Sequence, residues 1–326
     1  MLREQREYAM VPEERYIEFD VTYKCSAQCR HCILVCSPQK GGLMSVEDAR
    51  TYLMEMKRLN LTGLDLIITG GEALLFFQRV LEIIQAAAEL GMTPVRSVQS
   101  NGSWCVNDRL TRQRLTELRD AGLQGIYFSV DPFHNEFLSI ENVRRGIAIS
   151  EEIFGKEHVS VNSRGYLDAE QIPDVLDYLE SVERPPAIMT GRAAWTLPGY
   201  LSTIPLEEIL LMNCRGGNQD IDPSSVWQIN VDAYGYVSSW ICSGILLGNA
   251  HETPLAEILT RPLAEQPQIV QDLVTHGPAC MLDMAAKHGF QPEDGYVTKC
   301  HLCWDIRTAI HVHYPELFAP AELYQE

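Results

Sequence analysis

The chain reads as an α/β fold, a series of βα units on a parallel sheet followed by a smaller domain built around cysteines. Three observations carry that reading. From residue 15 to about 190, short β-branched or apolar runs alternate with longer helical patterns, the sequence form of repeated βα units. After Gly191 the rhythm breaks, with Pro198, Gly199 and Pro205 punctuating the chain. Five of the ten cysteines then fall in the last third, at 214, 242, 280, 300 and 303.

Taken in order, strands are expected over residues 16–21, 64–69, 94–99, 125–130, 158–162 and 187–190, each a short run of strand-forming side chains. Between the first two, a helix over 45–60 opens on Ser45 as N-cap with Asp48 three residues on, so that hydroxyl and carboxylate satisfy the first free backbone donors. The next helix, 77–90, stops at Gly91, a residue suited to the left-handed turn that ends helices. Further on, VWQINVDAYGYVSSWIC is two strand-forming stretches joined around residues 233–235, a β-hairpin. Two domains follow, residues 1–195 and 196–326.

Composition narrows the function classes. With 326 residues and 46% hydrophobic content the chain can bury a full core. A net charge of −18 with no Lys/Arg-rich stretch repels a phosphate backbone, which excludes nucleic acid as the expected partner. No apolar run reaches the length of a membrane span, and MLREQREYAMVPEER lacks the apolar stretch of a signal peptide, so a cytoplasmic protein is expected. In a reducing compartment ten cysteines argue for metal ligation or redox chemistry over disulfides.

The sharpest motif is YKCSAQCRHC, where Cys25, Cys29 and Cys32 stand in a C-x3-C-x2-C spacing. Thiolate is the ligand that iron-sulfur clusters select, and three such ligands leave the fourth iron of a [4Fe-4S] cluster open. The competing uses are a zinc site, which favours two cysteine pairs, and a closed ferredoxin-type cluster, since Cys36 extends the run to C-x3-C-x2-C-x3-C. Followed by ITGGEALLF, the motif resembles the radical S-adenosylmethionine (SAM) enzymes in residue type, order and spacing. Neither the GGE segment nor the six βα units are needed by an electron carrier.

The resemblance implies that the open iron chelates SAM, whose reductive cleavage gives a 5′-deoxyadenosyl radical able to take hydrogen from a substrate. It implies a partial (β/α)6, TIM-like barrel, with the cysteine loop at the C-terminal rim of the sheet. Gly70, Gly71 and Glu72 would contact the amino group of SAM, and Asn101, Ser129 and Asp131 its ribose and carboxylate. Arg164 would face the carboxylate, in competition with Arg144 and Arg145. His31 stands where the family places an aromatic side chain near the adenine, and His134 is balanced between loop polarity and substrate contact.

Cys214, Cys242, Cys300 and Cys303 form a second set. Their order, the GRAA segment at residues 191–194 and LLGNAHETPLAEIL after Cys242 resemble the SPASM and twitch domains, which implies an α+β C-terminal domain with an auxiliary [4Fe-4S] cluster. Structural zinc is the alternative for these four. Cys280 and Cys105 read as buried small side chains or, for Cys280, a hydrogen donor to a substrate radical. The resemblance implies an enzyme acting on a ribosomally made peptide by oxidation, cross-linking or epimerisation. It implies a flavodoxin or ferredoxin as electron donor, with a separate peptide-recognition protein as a partner. The alternatives are dehydrogenation of a small molecule such as a sugar derivative and, from another class, an iron-sulfur electron-transfer protein.

Overall fold

A computed structural model of the chain describes residues 15–163, 167, 174–181, 188–215, 221–223, 225 and 228–325. Its spine is strand β1 (Tyr16–Asp20), in which Ile17 and Phe19 alternate with Glu18 and Asp20. All four are buried, so the two faces of this strand meet different interiors, one apolar and one polar. Strands β2 (Leu66–Thr69), β3 (Val95–Ser100), β4 (Leu123–Phe128) and β5 (Val159–Val161) follow, each parallel to its neighbour.

The crossovers are helices whose sequences set their own ends. Helix α1 (Val46–Arg58) starts where Ser45 Oγ accepts from Asp48 N at 2.9 Å, with Asp48 returning to the hydroxyl. Ala49, Tyr52, Leu53 and Met56 form its buried stripe. Helix α2 (Phe77–Glu89) buries Val80, Ile83, Ile84 and Ala87, worth about 1.5–3 kcal/mol for each large side chain, and Gly91 takes the left-handed turn beyond it at φ +68°. Helices α3 (Asp108–Ala121) and α5 (Ile140–Phe154) complete the layer, with the short α4 (Pro132–Asn135) between them at the end of β4.

The sixth parallel strand is not the expected one. Ala187 lies outside the described residues, and 188–190 form a turn in which Thr190 N donates to Ile188 O at 2.8 Å. The cause is Gly191. At φ +60° it lies so close to the cysteine loop that a Cβ there would come within 2.4 Å of Cys32 O, which draws the segment onto that loop and away from the sheet. The place is taken by β7 (Gln228–Asp232), which pairs with the other edge of β1 in the register Glu18 to Asn230.

The expected hairpin is present. Asp232 Oδ1 accepts from Tyr234 N and Tyr236 N, both at 2.9 Å, and the chain returns as β8 (Tyr236–Ser239) and then β9 (Gly248–Asn249). The sheet order is β5-β4-β3-β2-β1-β7-β8-β9, so a strand from beyond residue 196 sits beside the first strand of the chain. Six parallel strands and two antiparallel ones make an α/β fold with a mostly parallel sheet. A two-stranded pair, β6 (Ile204–Pro205) with β10 (Gly295–Tyr296), and the helices Gln268–His276 and Lys299–Ile310 build the remainder. Among the described residues no helix is long and apolar enough to cross a membrane.

Candidate functional site

At the C-terminal ends of the parallel strands lies a cavity of about 440 Å3, lined by residues from the loops after β1 to β5. Cys25, Cys29 and Cys32 line it together, as does Cys36. Their loop is closed at its base by Cys25 N donating to Ser37 O and clamped from outside by Arg192. That guanidinium donates to Cys29 O (2.9 Å), Val35 O (3.0 Å) and Cys36 O (2.9 Å). Sequence reasoning missed Arg192, although it stands inside the GRAA segment that was singled out.

The thiols are prepared unequally. Burial pushes Cys25 up to about 12, although its sulfur accepts from Ala27 N (3.4 Å) and Asn101 Nδ2 (3.5 Å), and burial also raises Cys29. Cys32 moves the other way, to about 5, because a hydrogen bond from Cys36 and the charge of Arg192 outweigh burial. Two buried thiols that resist ionising need a cation to become thiolates.

Gly70 and Gly71 bring the end of β2 against this loop. A Cβ on Gly71 would meet Lys24 O at 2.2 Å, and Gly71 N donates to Thr22 O at 2.7 Å. Both glycines line the cavity; the Glu72 carboxylate does not, being held by Leu74 N (3.1 Å), Asn101 N (2.7 Å) and the Ser100 hydroxyl (3.0 Å). Burial raises Glu72 to about 7 against those hydrogen bonds. Asn101 and Ser129 line the cavity, and Asn101 also bonds Ser26 Oγ at 3.1 Å.

Asp131 stands behind that wall. It caps α4 through His134 N, and its Oδ2 meets His134 Nδ1 at 2.9 Å, Asn162 Nδ2 at 3.1 Å and His31 Nε2 at 3.4 Å. Burial opposes its ionisation, but the two imidazoles outweigh burial and hold the carboxyl far below the usual range. His31 also stacks on Phe133 with ring centroids 4.7 Å apart. Arg164 lies outside the described residues. Arg144 and Arg145 are not on the cavity wall; they serve Glu141 and Asp108 on the surface.

The second cysteine set also converges. Cys214, Cys242, Cys300 and Cys303 line one small pocket together with Ile221, Ile241, Ile245 and Leu273. Cys300 and Cys303 sit one turn apart at the start of the helix Lys299–Ile310, whose cap Thr298 accepts from His301 N. Burial raises Cys214 and Cys242, and Cys300 to about 11. Lys299 and Arg307 supply positive charge, and Arg307 is buried with hydrogen bonds to Ser243 O and Tyr324 OH. Cys280 is outside this cavity wall, and Cys105, packed against Gly146, lines neither cavity. None of the ten cysteines forms a disulfide.

Residues 19–156 match the model of the Radical SAM superfamily. This segment, less than half of the chain, is similar to the radical SAM superfamily. A curated relative, an S-adenosylmethionine-dependent nucleotide dehydratase from Psychrobacter lutiphocae, is 25% identical over 152 residues, 43% of this chain and 48% of that protein. The chain thus spans about half the length of the curated relative it matches. Among solved structures, BtrN in complex with AdoMet and 2-DOIA aligns at TM-score 0.47 with 18% identity, covering 82% of this chain and 90% of that one. The structure of anSMEcpe with AdoMet and a Cp18Cys peptide aligns at TM-score 0.47 with 12% identity, covering 93% and 98%.

The cofactors of a radical SAM segment are SAM and a [4Fe-4S] cluster. The residues here fit them. Three thiols converge on one cavity, two of the sulfurs accept N–H hydrogen bonds, and the glycine pair leaves backbone open beside them.

Proposed function

We propose that the chain is a radical SAM enzyme that abstracts hydrogen from a small polar molecule. The observation that carries the proposal is the convergence of Cys25, Cys29 and Cys32 with Gly70, Gly71, Asn101 and Ser129 on one cavity. Bound there, SAM and the reduced cluster would supply a 5′-deoxyadenosyl radical. The protein's part is to position and to exclude water. Arg192 fixes the carbonyls of the ligand loop, Asn101 ties Cys25 to Ser26, and Glu72 holds the Asn101 backbone in place. Asp131 acts through His31, His134 and Asn162, as a positioning residue for the rim. Arg164, three residues beyond β5 in the sequence and outside the described residues, is proposed for the SAM carboxylate.

A cavity of about 440 Å3 that must hold SAM as well favours a small second molecule over a wrapped peptide. The nucleotide dehydratase relative supports the same choice. Residues 196–326 are proposed as a twitch-like unit whose Cys214, Cys242, Cys300 and Cys303 hold an auxiliary [4Fe-4S] cluster, with Cys280 beside it. Structural zinc is the alternative for the same four thiols, since paired cysteines are common zinc ligands.

The test is metal and sulfide analysis after anaerobic reconstitution, with SAM cleavage followed in parallel. The expected outcome is about eight irons, falling to about four with loss of 5′-deoxyadenosine when Cys25, Cys29 and Cys32 are all replaced by Ala. About four irons with one zinc assigns the second site to zinc. Iron without SAM cleavage, under a reducing donor such as flavodoxin or ferredoxin, overturns the enzyme reading. Hydrogen loss from a peptide but from no small molecule would return the substrate to the peptide class.

A further inference from the structure

The cavity has a floor that the cysteines do not use. It is made by the polar face of β1, with Glu18 and Asp20, and by Asn230 of β7, which stands opposite Glu18 in the sheet. Asn230 Nδ2 donates to both carboxylates, to Glu18 Oε2 at 3.0 Å and to Asp20 Oδ2 at 2.8 Å. Gln99 Nε2 donates to Glu18 Oε1 at 3.0 Å. With those donors engaged, two atoms are left with no hydrogen-bond partner among the described residues, Asp20 Oδ1 and Asn230 Oδ1. Asp20 and Asn230 are 1% and 2% exposed, and both are on the cavity wall.

We infer that Asp20, Glu18 and Asn230 form the seat for the primary ammonium group of a small amine substrate. The inference rests on the radical SAM reading of the same cavity and deepens it. Both unpartnered atoms are acceptors, so the missing partner is a donor. The described residues of the cavity wall include no Lys or Arg, which leaves nothing to neutralise a phosphate or carboxylate at the floor. An ammonium brings a positive charge and three N–H groups, enough for both free acceptors. A hydroxyl brings one donor and no charge.

Burial raises Glu18 to about 7 and Asp20 well above its ordinary value, the response of carboxylates that lack a counter-charge. Neither Asp20 Oδ1 nor Asn230 Oδ1 has a hydrogen-bond partner among the described residues. Unsatisfied buried polar atoms cost about 1–3 kcal/mol each and need an explanation. A bound amine supplies one here.

The same ammonium chemistry occurs on a free amine and on a lysine side chain, so the test includes both. Binding is measured by calorimetry on the anaerobically reconstituted full chain, with its iron content and SAM binding recorded first. The probes are glucosamine, glucose, glucose 6-phosphate, a nucleoside triphosphate and Nα-acetyl-lysine amide. The expected result is saturable binding of glucosamine at least about tenfold tighter than glucose, with the two phosphates unbound, and a loss of about tenfold in the Asp20→Asn variant. Preferential binding of the lysine derivative assigns the seat to a peptide amine and overturns the small-molecule inference. Equal binding of glucose, binding of a phosphate in place of the amine, or no saturable amine binding overturns the seat itself. The wild-type probe series decides this even if Asp20→Asn fails to fold. Absence of iron or SAM binding is the separate failure of the cofactor reading, and the amine series is read in either case.

Discussion

Arg192 donates from both terminal nitrogens to three carbonyls of a loop more than 150 residues earlier in the chain. Replacing it by Ala strands Val35 O and Cys36 O, while Cys29 O keeps the bond from Cys32 N at 3.2 Å; at about 1–3 kcal/mol for each stranded acceptor, Arg192→Ala is expected to lose at least about 2 kcal/mol of stability. Iron uptake on reconstitution should fall with it. Arg192→Lys should not rescue either, because a point ammonium cannot reproduce the forked contact. Melting and iron content of the two variants check this. Nothing in GRAA told of that role, since a side chain's reach across the fold is invisible along the sequence. The alternating acids of YIEFDV were visible, and two carboxylates in a strand otherwise apolar were a signal of a polar interior.

Glu18 gives a pH prediction at the same scale. Its folded value near 7 stands above the ordinary 4.5, so the proton it holds in the native state stabilises the fold at low pH. That contribution is complete below about 4.5 and is lost as pH rises through 7. In the metal-free protein, wild type should therefore lose up to about 3 kcal/mol relative to Glu18→Gln between pH 5 and pH 8. Denaturant unfolding at the two pH values measures the difference. A constant difference would mean that Glu18 is not held protonated.

At the scale of elements, the loops depend on close backbone approach more than on propensity. Gly71→Ala would put a methyl group 2.2 Å from Lys24 O, and backbone cannot swing aside as a side chain can. We expect this variant to fold poorly and to take up little iron at the first site. Ser45→Ala is the contrast: it removes one N-cap and should cost about 1 kcal/mol while leaving iron content unchanged. Iron analysis and thermal melts of both variants separate the two effects. Ser45, Gly91 and the Asp232 hairpin were legible because each is local chemistry within a few residues. Strand pairing is not local. The run at 187–190 looked as strand-like as Gln228–Asp232, and the choice between them was made by where Gly191 must pack.

For the whole molecule, the first cysteine set was readable because three thiols that line one cavity lie within eight residues, Cys25 to Cys32. The second set draws on Cys214, Cys242, Cys300 and Cys303, and only folding shows that these four, and not Cys280, line one pocket. Chelation of the reconstituted protein should separate the sites. A cluster at the first set faces a cavity of about 440 Å3 and should be stripped first, whereas metal at the second set, which has only a small pocket beside it, should leave at least about tenfold more slowly. Loss of iron against time, in the presence of a chelator, reads both rates.

The pairing of β1 with β7 has a consequence for how the chain is made. Glu18 and Asn230, neighbours in the sheet, are 212 residues apart in sequence. At ordinary elongation rates roughly 10–40 s pass between the synthesis of one and of the other. Throughout that interval β1 can pair with β2 on one side only, and its second edge, with two carboxylates beside it, waits uncovered. The early half of the protein is thus a nascent sheet with an open flank. Carboxylates beside an unpaired strand edge disfavour its pairing with another chain.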